Sequence, residues 1–349
     1  MGRVVTFEGP REVGIRQYEE RPLEPNEVRL RTLYSGISAG TELTAYRGSN
    51  PYLSKRWDDE RRLFLEGEVS LQHPIEGWGY EEVGEVAEVG PEVSFVRPGE
   101  VVWGTWGHKS TTVVREDWAA RRRLPPDVDP MVGIFSRIGA ISLNAVLDAD
   151  VHVGEYVAVF GQGVPGLIAG QLARLNGGTV IAVDGIPMRL ELAKSLGAAH
   201  VVDFTRGSPA EEIKGLTENR GADVCIEISG SYRALHEAIR STAYNSKVVS
   251  SGFYQGEGIG LSLGEEFHHN RVNVVSSQIF GVSLALDHRW TVERLERTVI
   301  GLAAEGKIGL KQLVTHVFAL EDAAEAFRLL DEEPSEAVQV VIGFSEEET

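Results

Sequence analysis

The pattern of hydrophobic and polar positions changes after Pro125-Pro126, and the two parts of the chain predict different kinds of structure. Upstream, short runs of β-branched and aromatic residues are separated by turn-forming residues. Apolar and polar positions alternate in the runs at 27–32 and 83–90, which is typical of strands with one buried face. The first part of the chain is therefore predicted to be β-rich, with further strands at 3–7 and 100–104.

From Gly139 onward, short apolar runs alternate with segments whose apolar residues recur with a helical period. Continuous apolar strands alternating with helices indicate a parallel sheet that is covered on both faces. This part of the chain is therefore predicted to be an α/β domain with a doubly wound parallel sheet. Strands are predicted at 156–160, 180–183, 200–203, 224–228, 247–251 and 272–276. Helices are predicted between them at 166–176, 189–196, 209–217 and 232–242.

The C-terminal part of the chain continues with both kinds of element. The pattern predicts a helix at 291–304, a strand at 314–318, a helix at 320–330 and a strand at 337–342. Pattern alone leaves open whether these elements extend the α/β domain or return to the β-rich one.

Length and charge limit the classes of protein that fit this sequence. The 349 residues suit two domains of roughly 150 residues each. The net charge of −18 repels nucleic-acid phosphates and anionic lipid, so neither nucleic acid nor a membrane is expected as a partner. The single cysteine, Cys225, excludes a disulfide within the chain and a four-cysteine zinc site. The N-terminal residues lack the apolar run of a signal peptide, and we expect a cytoplasmic protein.

A glycine-rich turn joins the first strand of the α/β domain to the helix that follows. The strand at 156–160 runs directly into Gly161-Gln162-Gly163-Val164-Pro165-Gly166. The three glycines permit a tight turn, close approach of a pyrophosphate and close packing of helix against strand. Free N–H groups at the helix N-terminus favour phosphate, and a proline is tolerated in the first turn. We therefore predict a dinucleotide-binding site, formed by Gly161, Gly163, Val164, Pro165 and Gly166.

The next strand ends in Asp184, 18 residues after the last glycine of the turn. A carboxylate at this place hydrogen-bonds a ribose 2′-hydroxyl and repels a 2′-phosphate. Asp184 therefore favours NAD over NADP. Arg189 follows closely enough to meet a phosphate and keeps NADP as the alternative.

Several motifs resemble the medium-chain dehydrogenase/reductase superfamily, which includes the zinc alcohol dehydrogenases. They stand at 35–42 (SGISAGTE), 79–84 (GYEEVG), 98–102 (PGEVV), 184–198 and 321–327. The resemblance covers nearly the whole chain. It implies a GroES-like β-rich catalytic domain made of residues 1–137 with 283–349, and a Rossmann NAD-binding domain at 138–282. It also implies a homodimer, for which the strand at 272–276 is the candidate edge.

The sequence departs from the family where zinc-binding members hold their catalytic metal. The cysteine ligand is replaced by Ser38 or Ala39, the histidine by Tyr80, and the third ligand aligns with Arg137. None of these is a usual zinc ligand, so the sequence predicts no metal site and no zinc. It resembles a zinc-less branch typified by the dehydrogenases of hydroxyethyl bacteriochlorophyllide. The segments at 35–42, 266–271 and 276–278 carry this similarity.

Without a metal, fixed hydrogen-bond donors must stabilise the charge that develops on the substrate oxygen. We expect Tyr80 to exchange the proton, with Arg137 as a positive charge that lowers the pKa of the phenol. By the resemblance, Thr41 aligns with the hydroxyl residue that meets the substrate oxygen, and Glu81 is expected to hold Arg137. The alternative is that Tyr80 only fills the vacated metal site and that Arg137 pairs with Glu81 or with cofactor phosphate.

By the same resemblance, the nicotinamide end of the cofactor is expected near the ends of the later strands of the parallel sheet. The residues expected there are Ser229, Gly230, Ser251, Gly252, Phe253, Ser277 and Gln278.

The sequence as a whole predicts an oxidoreductase that transfers a hydride between NAD(H) and a small molecule. The expected substrate is a secondary alcohol or its ketone, such as a cyclic or sugar-like metabolite. One alternative is an NADPH-dependent quinone or enoyl reductase, against which Asp184 argues. The other is a dinucleotide-binding protein without turnover.

Overall fold

The structure is a computed structural model and describes residues 1–344. The chain forms two compact units. The first, the β-rich unit, comprises Met1–Arg137 and the segment that starts at Lys311. The second, the parallel-sheet unit, comprises Ile138–Leu310.

Residues 283–310, which the sequence analysis assigned to the β-rich domain, belong to the parallel-sheet unit. The side chain of Gln171 bonds Gly309 in both directions: its amide donates to the Gly309 carbonyl over 3.1 Å, and its oxygen accepts from the Gly309 N–H over 2.7 Å. A Cβ atom on Gly139 would lie 2.5 Å from Val299 Cγ1, so the chain around Val299 packs closely on this glycine. The expected boundary at 283 is thereby corrected to the position after Leu310.

The first part of the β-rich unit consists mainly of strands, with two short α-helices among its described elements. The strands are β1 (Gly2–Gly9), β2 (Glu12–Tyr18), β3 (Glu27–Gly36), β4 (Arg56–Asp58), β5 (Leu63–Leu65), β6 (Ile75–Glu76), β7 (Glu82–Val89), β8 (Val101–Gly104) and β9 (Thr111–Arg115). The helices are α1 (Ala39–Tyr46) and α2 (Glu116–Ala120).

The chain then alternates helices with strands. Its strands are β10 (Tyr156–Phe160), β11 (Thr179–Asp184), β12 (His200–Asp203), β13 (Ala222–Glu227), β14 (Thr242–Ser250) and β15 (Asn273–Ser276). Its helices are α3 (Phe135–Ala149), α4 (Val164–Leu175), α5 (Pro187–Ser195), α6 (Pro209–Leu216), α7 (Tyr232–Ser241) and α8 (Val292–Ala304). The last described elements are β16 (Val314–Ala319), α9 (Ala323–Glu332) and β17 (Gln339–Gly343).

The parallel-sheet unit has the strand order β12-β11-β10-β13-β14-β15, and every neighbouring pair is parallel. The predicted doubly wound α/β architecture is therefore confirmed. The order along the chain reverses between β10 and β13. In open sheets of this kind, ligands bind at the carboxyl ends of the strands beside such a reversal.

The sheet of the β-rich unit incorporates the C-terminal strands. Its order is β16-β17-β3-β7-β8, with β9 also paired to β3. Strand β17 runs antiparallel to β3 and sets Ile342 opposite Ser35, while β7 sets Glu82 opposite the same serine. The C-terminal elements therefore return to the β-rich unit, which answers the question that the pattern left open.

One described helical segment, Pro130–Ala149, is long and apolar enough to cross a membrane by length and composition alone. Within this protein, 72% of its apolar window is buried. A helix that is largely covered by its own chain behaves as a core helix, so the segment supplies no argument for a membrane partner.

Candidate functional site

Three hydroxyl groups meet where the sequence analysis placed the vacated metal ligands. The Ser38 hydroxyl and the Tyr80 phenol form a hydrogen bond. Thr41 Oγ1 lies 3.3 Å from the Tyr80 oxygen. The structure thus brings the predicted residues Tyr80 and Thr41 together and adds Ser38, and we call these three residues the hydroxyl cluster.

The ends of two paired strands hold this cluster together. Strand β3 ends at Gly36 and β7 begins at Glu82, and the Gly36 N–H donates to the Glu81 carbonyl over 2.7 Å. Gly79 has φ +143°, and a Cβ atom there would lie 2.9 Å from His108 Nε2. A glycine is therefore needed immediately before Tyr80, because the backbone passes so close to the imidazole.

Beneath the cluster, a chain of hydrogen bonds connects two buried glutamates through a histidine. Glu42 accepts from the Ser38 N–H over 2.9 Å, and its second oxygen lies 2.6 Å from His108 Nε2. His108 Nδ1 lies 2.6 Å from Ser35 Oγ, whose hydroxyl donates to Glu82 over 3.1 Å. His108 is 1% exposed, and Glu42 and Glu82 are fully buried, so no bulk water is available to replace these bonds.

The protons of this chain can be assigned by counting donors. Ser35 has one hydroxyl proton and gives it to Glu82, so the Ser35 oxygen must accept from His108 Nδ1–H. The short separation between His108 Nε2 and Glu42 also requires a proton between them. Burial lowers the pKa of His108, but the charge and hydrogen bond of Glu42 outweigh burial and raise it. The pair therefore favours an imidazolium beside a carboxylate.

Glu81, which the sequence analysis expected to hold Arg137, has a different environment. Its side chain is fully buried, and within the described chain neither carboxyl oxygen has a hydrogen-bond partner, although the side chains of Ser38 and Gln339 lie near enough to lower its pKa. Its carboxyl lies beneath Gly36, where a Cβ atom would come within 2.7 Å of Glu81 Oε2. Burial, followed by the charges of Glu42 and Glu82, raises the pKa of Glu81 well above its usual range. Glu81 is thus a buried acid rather than an anchor for an arginine.

The pKa of Tyr80 also moves in the direction opposite to the expected one. Burial and the neighbouring charge of Glu81 raise it, and the hydrogen bonds from Ser38 and Thr41 only partly oppose this. The expected lowering by Arg137 is corrected, because burial, the largest cause, disfavours the phenolate and the charges of Glu81 and Glu42 add to this effect. Tyr80 is therefore a protonated phenol that can donate a hydrogen bond at neutral pH.

The donors present at the former ligand positions do not suit zinc. Zinc sites in proteins use thiolate, imidazole and carboxylate ligands, whereas Ser38, Thr41 and Tyr80 offer hydroxyl groups that already bond one another. The imidazole of His108 is bonded on both nitrogens. Across residues 1–344, no group of three or more His, Cys, Asp or Glu side chains is placed to hold a metal ion.

In the parallel-sheet unit, the glycine-rich turn has the geometry that a dinucleotide requires. Gly161 has φ +93°, and a Cβ atom on Gly166 would lie 1.8 Å from the Gly161 carbonyl oxygen. Around Gly163, by contrast, a Cβ atom would meet nothing nearer than Pro165 at 3.9 Å. Helix α4 begins at Val164 with Pro165 in its first turn. The turn therefore closes tightly on its inner side and leaves its outer side open to a pyrophosphate.

Asp184 ends β11 beside this turn, and its carboxylate is held by backbone donors. One oxygen accepts from the Gln162 N–H over 2.6 Å, and the other accepts from the N–H groups of Gly185 and Ile186 over 2.8 and 2.9 Å. Burial lowers the pKa of Arg189, and the charge of Asp184 partly offsets burial, so the arginine lies within electrostatic reach of this carboxylate. Asp184 thus has a fixed orientation and retains lone pairs for a ribose hydroxyl.

The residues predicted for the nicotinamide end fall into two groups. Ser229 and Gly230 follow β13, and Ser251, Gly252 and Phe253 follow β14, so both segments lie at the carboxyl edge of the sheet. Ser277 and Gln278 follow the edge strand β15. Ser277 is buried and accepts a hydrogen bond from Asn144 of α3 over 3.3 Å, whereas Gln278 is exposed.

Sequence reasoning missed three residues around which the two sites are organised: Ser38, His108 and Glu227. Ser38 was treated only as a lost ligand, and His108 was assigned no role. Glu227 ends the otherwise apolar strand β13 and is fully buried. A charged residue at the end of an apolar strand was the available signal, because buried charges need partners.

The chain matches known proteins over most of its length. Residues 165–295 match the Zinc-binding dehydrogenase family. The chain is 29% identical over 343 residues to D-guloside 3-dehydrogenase of Escherichia coli (strain K12), which covers 96% of this chain and 98% of that protein. It is 30% identical over 256 residues to alcohol dehydrogenase of Cupriavidus necator, which covers 70% of this chain and 64% of that protein.

A solved structure from Sinorhizobium meliloti 1021, described as a zinc-binding dehydrogenase and bound to NADP, has the same fold. It superimposes with a TM-score of 0.78 at 23% identity and covers 99% of each chain. The fold and these matches define an oxidoreductase of the dehydrogenase type. The chain belongs to the medium-chain dehydrogenase/reductase superfamily, as its motifs predicted.

Proposed function

We propose that this protein is a zinc-independent, NAD(H)-dependent dehydrogenase that oxidises a secondary hydroxyl group of a sugar-like molecule, or reduces the corresponding ketone. The observation that carries the proposal is the hydroxyl cluster of Ser38, Thr41 and Tyr80 at the positions where related enzymes hold zinc. The similarity to D-guloside 3-dehydrogenase supports a sugar-like substrate.

When bound by the dinucleotide turn and Asp184 of the parallel-sheet unit, NAD⁺ would supply the acceptor for the hydride of the carbinol carbon. The hydroxyl cluster of the β-rich unit handles the proton that the substrate oxygen releases as its carbonyl forms. In the reverse direction, the protonated Tyr80 donates to the ketone oxygen, and the stabilisation comes from an oriented hydrogen bond instead of a metal.

The proton needs a final acceptor within the β-rich unit, and we assign this role to Glu81. Ser38 forms a hydrogen bond with Tyr80 and lies close enough to Glu81 to lower the pKa of the Glu81 carboxyl. Both Glu81 oxygens have unused lone pairs in the described structure. Burial raises the pKa of Glu81 well above its usual range, and a raised pKa makes a carboxyl a better proton acceptor. In the oxidation, the proton therefore passes from the substrate oxygen through Tyr80 and Ser38 to Glu81.

Asp184 supports NAD as the cofactor. Its carboxylate is buried at 7% exposure and oriented by three backbone N–H groups. A 2′-phosphate beside this fixed negative charge would be repelled, while a 2′-hydroxyl could donate to it.

The proposal is tested by turnover of purified protein whose metal content has been measured. We expect NADH to form when NAD⁺ is supplied with glycosides or free sugars that carry a secondary hydroxyl group, in protein stripped of zinc by a chelator. Activity that appears only when zinc is restored would overturn the metal-free mechanism. Tighter binding of NADPH than of NADH would instead favour a reductase, and NADH binding without turnover on a broad panel would favour a non-catalytic role.

We further propose that the protein is a homodimer in which β15 of each copy pairs with its counterpart. All four residues of β15 are exposed, and Val274 and Val275 are 40% and 37% exposed at the edge of the sheet. An edge strand with unpaired backbone groups and exposed valines is suited to pairing with a second strand. Light scattering of the wild-type protein should give twice the mass of one chain. The measured mass of Val274→Lys should fall towards that of the monomer. A monomeric wild-type protein would contradict the proposal.

A further inference from the structure

Glu227 forms an unusually well-satisfied carboxylate at the end of β13. One oxygen accepts from the Ser229 N–H over 2.9 Å and from the Ser229 hydroxyl. The other accepts from the Gly230 N–H over 3.3 Å and from the Tyr254 phenol. The side chain is fully buried, so four donors from the protein replace the water that a carboxylate would otherwise bind. Burial raises the pKa of Glu227, and the hydrogen bonds from these donors oppose the rise.

The backbone of the same residue ties down a second segment. The Glu227 carbonyl accepts from the N–H groups of Ser251 and Gly252 over 2.8 and 3.2 Å. Through its side chain and its carbonyl, Glu227 therefore joins the segment after β13 to the segment after β14. The first of these segments is 229–231 and the second is 251–254; we refer to them as the two edge loops.

The edge loops pack closely against each other and against this residue. A Cβ atom on Gly252 would lie 2.2 Å from the Gly230 nitrogen and 2.9 Å from Glu227 Oε2. On Gly161, in the dinucleotide turn, a Cβ atom would lie 2.7 Å from Ser229 Cβ. The edge loops and the dinucleotide turn thus meet around one carboxylate, and a shift of one would displace the others.

The strand order indicates which half of the cofactor the edge loops face. The dinucleotide turn follows β10, and Asp184 follows β11 on one side of it. Strands β13 and β14 lie on the other side of β10, across the reversal of the strand order. In folds of this type a dinucleotide spans the reversal, with its adenosine half beside the first βα turn and Asp184. The remaining half therefore lies over the ends of β13 and β14.

We propose that Glu227 is a positioning residue that shapes the pocket for the nicotinamide half of the cofactor by fixing both edge loops. It does so without touching the cofactor, because all its lone pairs face Ser229, Gly230 and Tyr254. The inference rests on the proposed binding of NAD(H), and it adds a residue that acts on one half of the dinucleotide only. It concerns the parallel-sheet unit and is independent of the proton transfer assigned to the β-rich unit.

The test compares two ligands that share the adenosine half. ADP contains the adenosine and pyrophosphate but no nicotinamide, whereas NADH contains both halves. Glu227→Gln keeps the shape of the side chain but turns an NH₂ group towards donors that need an acceptor. We expect the Kd of NADH to rise by about tenfold or more, as for the loss of a charged hydrogen bond, while the Kd of ADP changes by less than about twofold.

Two further variants keep the result interpretable. Tyr254→Phe removes one of the four donors and leaves the carboxylate, so the Kd of NADH should rise by about threefold with ADP again unaffected. Glu212→Gln alters an exposed glutamate of α6 in the same unit and should change neither Kd. Because ADP binding reports the folded dinucleotide turn, it separates local rearrangement of the edge loops from general unfolding.

The outcomes are distinct. Loss of NADH affinity with retained ADP affinity supports the positioning role. An equal loss of both ligands would show that Glu227 serves folding in general, and an unchanged Kd of NADH would show that the edge loops do not depend on it; either result overturns the inference. If the wild-type protein binds ADP but neither NADH nor NADPH, that result contradicts the proposed function. The positioning role, which depends on the proposed function, is then contradicted as well.

Discussion

Two buried carboxyl groups near the dinucleotide turn differ from the one beside the hydroxyl cluster in the donors that surround them. In the parallel-sheet unit, each oxygen of Asp184 and Glu227 accepts at least one hydrogen bond from a neighbouring donor. In the β-rich unit, Glu81 is as deeply buried but has no hydrogen-bond partner within the described chain. The donors thus fix the orientation of the carboxyl groups beside the dinucleotide turn, whereas Glu81 has no such donors among the described residues, although burial raises the pKa of both Glu227 and Glu81.

This difference follows from what each site has to do. A carboxylate surrounded by N–H and O–H donors keeps one orientation, which suits the recognition of a cofactor of fixed shape. Burial raises the pKa of Glu81, which suits a group that exchanges a proton. Under the proposed function, the parallel-sheet unit holds the cofactor and the β-rich unit exchanges the proton.

The largest expected effect concerns the pair that keeps the proton-exchanging site folded. His108→Ala leaves the buried Glu42 carboxylate without its partner, and we expect a loss of about 3–5 kcal/mol of stability. Thermal unfolding followed by calorimetry measures the loss. The double variant His108→Ala with Glu42→Gln no longer carries the uncompensated charge, so much of the lost stability should return. A double variant as unstable as His108→Ala would show that the stability is lost through packing alone.

A second effect concerns the phenol of the hydroxyl cluster. Tyr80→Phe removes the hydroxyl that we propose relays the proton of the substrate oxygen, and kcat for alcohol oxidation should fall by about a hundredfold. The Kd of NADH should be unchanged, because the substitution lies in the other unit. Tyr46→Phe is the control, since it removes a hydroxyl from the aromatic core formed with Phe7 and Phe327. Equal activity of Tyr80→Phe and wild type would exclude proton transfer through Tyr80.

A third, smaller effect tests the ligand-holding site. Asp184→Asn removes the negative charge beside the ribose while keeping the size of the side chain. The ratio of the Kd of NADPH to that of NADH should fall by about tenfold, which corresponds to about 1.4 kcal/mol. Fluorescence titration with each cofactor measures this ratio. An unchanged ratio would show that another residue selects the cofactor.

The smallest expected effect is in the pH dependence of stability. Burial raises the pKa of Glu81, so between its unfolded and folded pKa values the folded state holds the proton more tightly. Stability should therefore fall as pH rises through this window, by on the order of 1 kcal/mol for each unit of the shift. In Glu81→Gln this slope should be lost and the protein should be more stable above the window. A slope that persists in the variant would assign the pH dependence to another group.

Much of the fold could be predicted because its signals are local. The six strands of the parallel sheet were all expected within a few residues of their bounds, since continuous apolar runs between helices are typical of strands buried on both faces. The helices α1, α2 and α3 and the strands β2, β4, β5, β6 and β9 were not predicted. Most of them contain too few residues for a period to emerge. Helix α3, by contrast, is 15 residues long, and its apolar positions were not recognised as a helical pattern.

The candidate site was predicted only in part for a related reason. Tyr80 and Thr41 were identified from motifs, but the direction of the Tyr80 pKa shift depends on carboxyl groups brought together by the pairing of β3 with β7. The sequence shows Glu42, Glu81 and His108 as separate residues. Only the register of the strands and the return of β17 reveal that they share one buried site.

The central claim is that a buried carboxyl and hydroxyl groups exchange the substrate proton in place of a metal. The most direct measurement is the pH dependence of kcat for alcohol oxidation in wild type and Glu81→Gln, on protein shown by mass spectrometry to be free of zinc. The account predicts that wild-type kcat rises with pH as Glu81 ionises and becomes able to accept a proton. It predicts that the variant is slower and lacks this ionisation. The same pH profile in both proteins, or activity proportional to residual zinc, would contradict the account.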